Sequence, residues 1–161
     1  MKKIFNLMSI MAVLSLMVFA SCSSDDGGDP DPDPGTELTP AQEQAAKLVA
    51  DGATWTLTGA DPVTVDGSIP DPEWTNFTLV FSGDENGGGF TTSNSASPIV
   101  WPSSGTWAFV DGSITQLVRN DGVTMTVNVT DTDITLSFEV EDPGSGRTLG
   151  FGGSWIFKLG I

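Results

Sequence analysis

The sequence predicts an all-β fold, an antiparallel meander closing into a barrel of about eight strands behind one short N-terminal helix, with a β-sandwich as the alternative. Three observations carry that prediction. From Trp55 almost to the C-terminus, apolar residues alternate with Thr, Ser, Asn, Glu or Lys at period two, as in strands buried on one face. Runs of Asp, Asn, Gly and Pro separate these stretches by short intervals, so successive strands pair as hairpins. Cys22 is the only cysteine, so no internal disulfide supports the fold, and closing the sheet on itself removes the edges that such a chain must otherwise protect.

The helix comes first. Thr39 suits the N-cap, Pro40 the first helical position and Gln42 the reciprocal place in a capping box, while Gly52 supplies a stop. Ala45, Leu48 and Val49 form its modest apolar face. Strands are then expected around Trp55/Leu57, Phe77/Leu79/Phe81, Trp107/Phe109, Met125/Val127/Val129, Ile134/Leu136/Phe138/Val140 and Trp155/Phe157/Leu159. Shorter stretches at Val63 to Val65, Phe90 to Ser93 and Ile114 to Arg119 complete the set. Turns are expected at Asp66-Gly67, Gly83 to Gly89, Asp111-Gly112, Asn120-Asp121-Gly122, Asp131-Thr132-Asp133 and Pro143 to Gly146. The predicted inward set holds eight aromatics: Trp55, Phe77, Phe81, Trp107, Phe109, Phe138, Trp155 and Phe157. A barrel of about eight strands is wide enough to fill with side chains or to hold one small ligand, and rings of this bulk favour filling.

Composition excludes several functions. The chain carries 21 acidic and 6 basic residues, a net charge of −15, and loss of Lys2 and Lys3 with a leader takes that to about −17. Lys47, Arg119, Arg147 and Lys158 are too scattered to form the basic stripe that nucleic acid requires. Histidine and tyrosine are absent, which removes the usual general base near neutral pH, the commonest zinc ligand and every Ser-His-Asp or Cys-His arrangement. No set of nucleophile, base and oxyanion donor can be assembled, so no enzyme is expected.

The N-terminus reads as an address. Lys2 and Lys3 precede an apolar run from Ile4 to Phe19, and Ala20-Ser21 place small residues directly before Cys22. Leu16 to Cys22 resembles the bacterial lipobox, which implies a signal peptide over residues 1–21 and a mature protein starting at an acylated Cys22. Residues 22–38 are rich in Ser, Asp, Gly and Pro, including the repeat Asp29 to Pro34, and predict a disordered acidic tether of roughly 50 Å at ~3.1 Å per residue. Ser23-Ser24-Asp25-Asp26 is similar to the Ser/Asp-rich export signal of Bacteroidetes surface lipoproteins. That likeness implies an outer-membrane lipoprotein facing the cell surface rather than the periplasm. The remaining segment, 39–161, resembles the lipocalin-like domains of Bacteroidetes lipoproteins. The likeness rests on Lys47-Leu48-Val49 before Trp55-Thr56-Leu57, on Trp101 to Trp107, and on Gly153 to Leu159. Gly52-Ala53-Thr54-Trp55 stands in place of the lipocalin Gly-x-Trp, longer by one residue.

Candidate sites are few. Trp74 and Trp101 sit beside prolines in loop-like sequence among Glu, Asn and Ser, where an exposed ring stacks on the face of a sugar. More often such residues cap the end of a barrel as extra core, and that reading stands beside the first for both. Asp84, Glu85, Asp131 and Asp133 offer the hard oxygens that calcium accepts, yet match no known calcium loop and suit ordinary tight turns. Glu139 and Glu141 lie two apart on an outward face, which places this carboxylate pair in solvent rather than in a glycosidase cleft. No cofactor is expected beyond the covalent lipid on Cys22. The expected role is non-enzymatic: binding of a small apolar ligand or a glycan, or service as an accessory subunit of a surface assembly. The alternative is a structural surface protein with a filled core.

Overall fold

The computed structural model describes residues 37–141 and 151–161. The signal segment, Cys22, the tether through Thr36 and the expected Pro143 to Gly146 turn lie outside the described residues.

Helix α1 spans Pro40–Val49 and starts as its capping box dictates. The Gln42 N–H donates to Thr39 Oγ1 at 3.3 Å and the Thr39 N–H to Gln42 Oε1 at 2.9 Å, so two otherwise orphaned donors are satisfied. The helix stops three residues after Lys47, at Ala50 in the left-handed conformation, and a 3-10 turn over Ala50–Gly52 follows. The expected stop at Gly52 is therefore two residues late. Ala45 and Leu48 are the helix residues that become buried.

Among the described residues nine strands follow: β1 Trp55–Leu57, β2 Val63–Val65, β3 Thr78–Asp84, β4 Gly87–Ser93, β5 Ser104–Phe109, β6 Gln116–Arg119, β7 Thr124–Val129, β8 Asp133–Val140 and β9 Gly153–Gly160. All pairings are antiparallel. β3 to β9 pair in sequence order, and β1 joins β3 to β9, so β1 with β3 to β9 closes an eight-stranded barrel.

The closing strand is split. Thr56 and Leu57 oppose Gly160 and Leu159, and Val63 to Val65 oppose Phe157 to Trp155 along the same edge of β9. Between them Lys158 bonds both ends of an excursion, accepting from Thr58 N–H at 3.1 Å and donating to Pro62 O at 2.8 Å. An odd number of residues, Thr58 to Pro62, thus faces one, which preserves parity and keeps Val63 pointing inward.

Inward residues follow period two. Ile134, Leu136, Phe138 and Val140 of β8 meet Trp155, Phe157 and Leu159 of β9, while Met125, Val127 and Val129 of β7 and Leu117 of β6 continue the same surface. All five tryptophans are buried. Phe109 of the expected inward set is only half-buried, at the end of β5.

Antiparallel alternation gives the barrel two ends. The helix end gathers α1, the β3–β4 turn, the β5–β6 connection and the β7–β8 turn; Trp55 Nε1 donates to Leu48 O at 3.0 Å there, satisfying a carbonyl of the last helical turn. The loop end gathers residues 66–77, 94–103 and 120–123.

One expectation is corrected here. Gly83 to Gly89 reads as a turn, but only Glu85 and Asn86 are, and the glycines lie in the β3–β4 ladder with Gly83 opposite Gly88 and Asp84 opposite Gly87. Close backbone approach explains the composition: a Cβ on Gly88 would lie 1.7 Å from Ser82 O, and Gly83 and Gly87 have φ of 122° and 119°. The Trp107 indole uses this glycine surface, its Nε1 lying 3.1 Å from both Ser82 O and Gly89 O. Gly88→Ala is expected to destabilise the protein by at least the ~1–3 kcal/mol of an overpacked core, whereas Gly89→Ala, whose nearest new neighbour is the Ser82 hydroxyl at 3.2 Å, is expected to cost much less. Urea midpoints of the two variants check the contrast.

Candidate functional site

The loop end is where the structure concentrates unusual chemistry. The β4–β5 connection, residues 94–103, folds inward and delivers Val100 and Trp101 to full burial. Its base is tied by Thr92 Oγ1 donating to Pro102 O at 2.9 Å and by Ser95 Oγ donating to Trp101 O at 2.7 Å. Ser97 O accepts from both Val100 N–H and Trp101 N–H, forming the turn that carries the indole into the core.

Rings surround Trp101 on most sides. Phe90 and Phe138 meet it edge-to-face at centroid distances of 5.5 and 5.6 Å, and Phe157 and Phe77 stand at 6.0 Å. Each such pair adds about 0.5–1.5 kcal/mol beyond area burial. The Arg119 guanidinium lies over the indole, 4.8 Å from its centroid, and 5.5 Å from that of Phe138.

Arg119 is the residue that sequence reasoning missed, having been counted only among scattered cations. It is 2% exposed because it takes the inward parity of β6, two residues after Leu117. Burial of its charge is matched by a paired, forked interaction: Nε to Asp121 Oδ1 at 3.1 Å and Nη2 to Asp121 Oδ2 at 2.6 Å. Nη1 donates to Val100 O at 2.9 Å and so binds the 94–103 segment to the β6–β7 turn. The spacing Leu117-x-Arg119-x-Asp121 was the available signal.

Burial by itself raises the Asp121 pKa, but the hydrogen bond and charge of Arg119, with the Val123 backbone N–H, outweigh it and hold the carboxyl below its ordinary value of 3.8. A lowered folded pKa means that stability is fully present above the unfolded value and is lost as pH falls through the folded one. The Tm difference between the natural chain and Asp121→Asn is therefore expected to be largest near neutral pH and to shrink below pH 3.8. Thermal scans across the acid range check it, and a pH-independent difference would contradict the role of the pair.

Trp74 and Trp101 do not form an exposed platform. Trp74 is 3% exposed, inside the 66–77 connection, edge-to-face with Phe157 at 4.9 Å and with Phe77 at 5.3 Å; Trp101 is fully buried. The flanking prolines and polar residues do mark loops, but both loops turn inward to fill the open barrel mouth. Neither indole N–H has a hydrogen-bond partner among the described residues, unlike those of Trp55, Trp107 and Trp155.

The candidate calcium ligands are not brought together. Asp84 caps the β3–β4 turn by accepting from Asn86 N–H at 2.8 Å, and Glu85 accepts from Gln42 Nε2 at 3.2 Å. Asp133 accepts from the Thr132 hydroxyl at 2.7 Å in the separate β7–β8 turn, where Asp131 also lies. Among the described residues no group of three or more carboxylates or thiols is arranged to hold a metal ion. These residues serve turns. Glu139 and Glu141 are exposed, as their parity requires, and border an open surface groove of about 580 Å³ with Ile99 and Asp121. A second groove of about 550 Å³ lies at the helix end between Thr39, Glu85, Phe109, Asp111 and Ile114.

Fold and interior together define a closed eight-stranded antiparallel β-barrel whose mouth is filled by its own loop tryptophans. No family model, curated protein or solved structure matches the chain. No helix among the described residues is long and apolar enough to cross a membrane.

Proposed function

We propose that the protein is a non-enzymatic, lipid-anchored outer-membrane protein displayed on the cell surface, in which the barrel is a filled scaffold and partners meet its outer face and ends. The observation that carries the scaffold reading is the filled interior: Trp101, Phe77, Phe138 and Phe157 are buried and pack on one another where a bound molecule would otherwise sit. This favours the structural or accessory role over carriage of a small apolar ligand, and the burial of Trp74 and Trp101 agrees with their reading as extra core at a barrel end rather than as a glycan platform. The anchor rests on the lipobox resemblance at Cys22 and on the acidic tether behind it. Each buried methylene of an acyl chain contributes ~0.8 kcal/mol, so two or three chains hold a protein to a bilayer far more firmly than one.

The test is fractionation. Cys22→Ala is expected to move the protein from the membrane pellet to the soluble fraction and to abolish incorporation of labelled palmitate. Surface protease digestion of intact cells, expected to remove the natural protein, decides between outward and periplasmic display. Unchanged membrane association of Cys22→Ala would count against the anchor.

A further inference from the structure

We propose that the loop end of the barrel contains one interior binding seat for a neutral, flat aromatic molecule, and that the chain's own Trp101 occupies this seat as an autoinhibitory contact. The inference goes beyond the filled-scaffold reading above: the filled interior is the closed state, and the seat exists only when the 94–103 segment withdraws.

The first ground is the way Trp101 is carried. Trp55, Trp107 and Trp155 belong to ladder strands, and withdrawing any of them would break the sheet; Trp101 belongs to a connection and can leave with every strand pairing intact. The walls around it come from elsewhere: Phe90 from β4, Phe138 from β8, Phe157 from β9, and Arg119 from β6 over the ring face.

The second ground is the unanswered indole N–H. Buried polar groups are nearly always paired, and the three strand tryptophans each donate to a carbonyl, yet Trp101 Nε1, like Trp74 Nε1 in the neighbouring loop, is buried with no partner among the described residues. The surroundings thus treat the ring as an aromatic plate and read no polar group on it. Ring edges on the rim and a guanidinium over the face suit an electron-rich plane of indole size. Because Asp121 already neutralises Arg119, the seat has no spare positive charge to select an acid.

The third ground is how the segment is latched. Arg119 Nη1 to Val100 O joins it to the β6–β7 turn, and that bond depends on a guanidinium oriented by Asp121. Loosening the pair is the route by which the segment withdraws and the seat opens.

Indole is the probe, titrated into the purified full-length protein. Trp101→Ala is expected to bind it saturably at one site, with Tm rising on the order of 5 °C at tenfold excess over Kd, while the natural chain shows neither effect. Asp121→Asn, which keeps Trp101 but weakens the latch, is expected to show saturable binding weaker than that of Trp101→Ala. Trp155→Ala, which leaves a cavity without the guanidinium-capped plate, is expected to show no comparable rise. Should Trp101→Ala not fold alone, Trp101→Val titrated with benzene takes its place, with the same expectation. Absence of binding to the position-101 variant, equal binding by the natural chain, or equal rescue of Trp155→Ala would overturn the seat. Asp121→Asn behaving as the natural chain does would overturn the autoinhibitory contact. Neither readout depends on Cys22, so failure of the membrane anchor is scored separately.

Discussion

Trp101→Ala is expected to destabilise the barrel by about 3–5 kcal/mol, the range for truncating a large buried aromatic, and to lower Tm on the order of 10–20 °C. The site is among the least able to collapse. Phe90, Phe138 and Phe157 stand on strands fixed by ladders on both sides, so they cannot move inward to refill the space without distorting the sheet. The loss combines apolar burial, four ring contacts and the plate on which Arg119 rests. Phe109→Ala, at a half-buried position bordering the helix-end groove, is expected to cost markedly less. Paired urea denaturation curves, with unchanged m-values to confirm two-state behaviour, give the comparison. Equal losses in the two variants would mean that the loop end does not organise the core.

Asp121→Ala is expected to cost about 3 kcal/mol, more than Arg119→Met at the other end of the same interaction. Removing the carboxylate leaves a guanidinium in a side chain only 1% exposed with no counter-charge, and stranding a buried charge of this kind costs ~3–5 kcal/mol. The low end applies because Asp121 is 37% exposed, so water already reaches that side of the pair. Arg119→Met keeps an apolar stem on Trp101 and Phe138, and exposes Asp121 to water without harm. It gives up the bond to Val100 O, a loss of about 1–3 kcal/mol for a buried acceptor. Denaturation midpoints near neutral pH decide the order, and a reversed order would show that the cation's packing outweighs its charge.

Much of this architecture was legible in the alternation of residues. Every strand overlaps a stretch the sequence marks, including the short ones at Val63 to Val65 and in β6, because strands buried on one face carry a local pattern, and the largest departures are the end of β3 and the start of β4. The capping box was equally local, since Thr39 and Gln42 satisfy each other within one turn. The Gly83 to Gly89 run was misread as a loop because glycine there answers to a backbone lying across the ladder, at Ser82 O, which no local pattern records. Arg119 was overlooked because a cation at an inward position looks like an error of parity until its carboxylate partner and aromatic plate are in place.

The sequence alone determined the order of the strands, the apolar side of most of them and the start of the helix, because these depend on neighbours within a few residues. Tertiary structure decided that Trp74 and Trp101 turn in rather than out, and that Arg119 is locked beneath a loop. The physical reason is that a barrel mouth exists only after the last strand has paired with the first. Only then is there an apolar opening to fill, and the loop residues bordering it bury their rings there instead of presenting them to solvent.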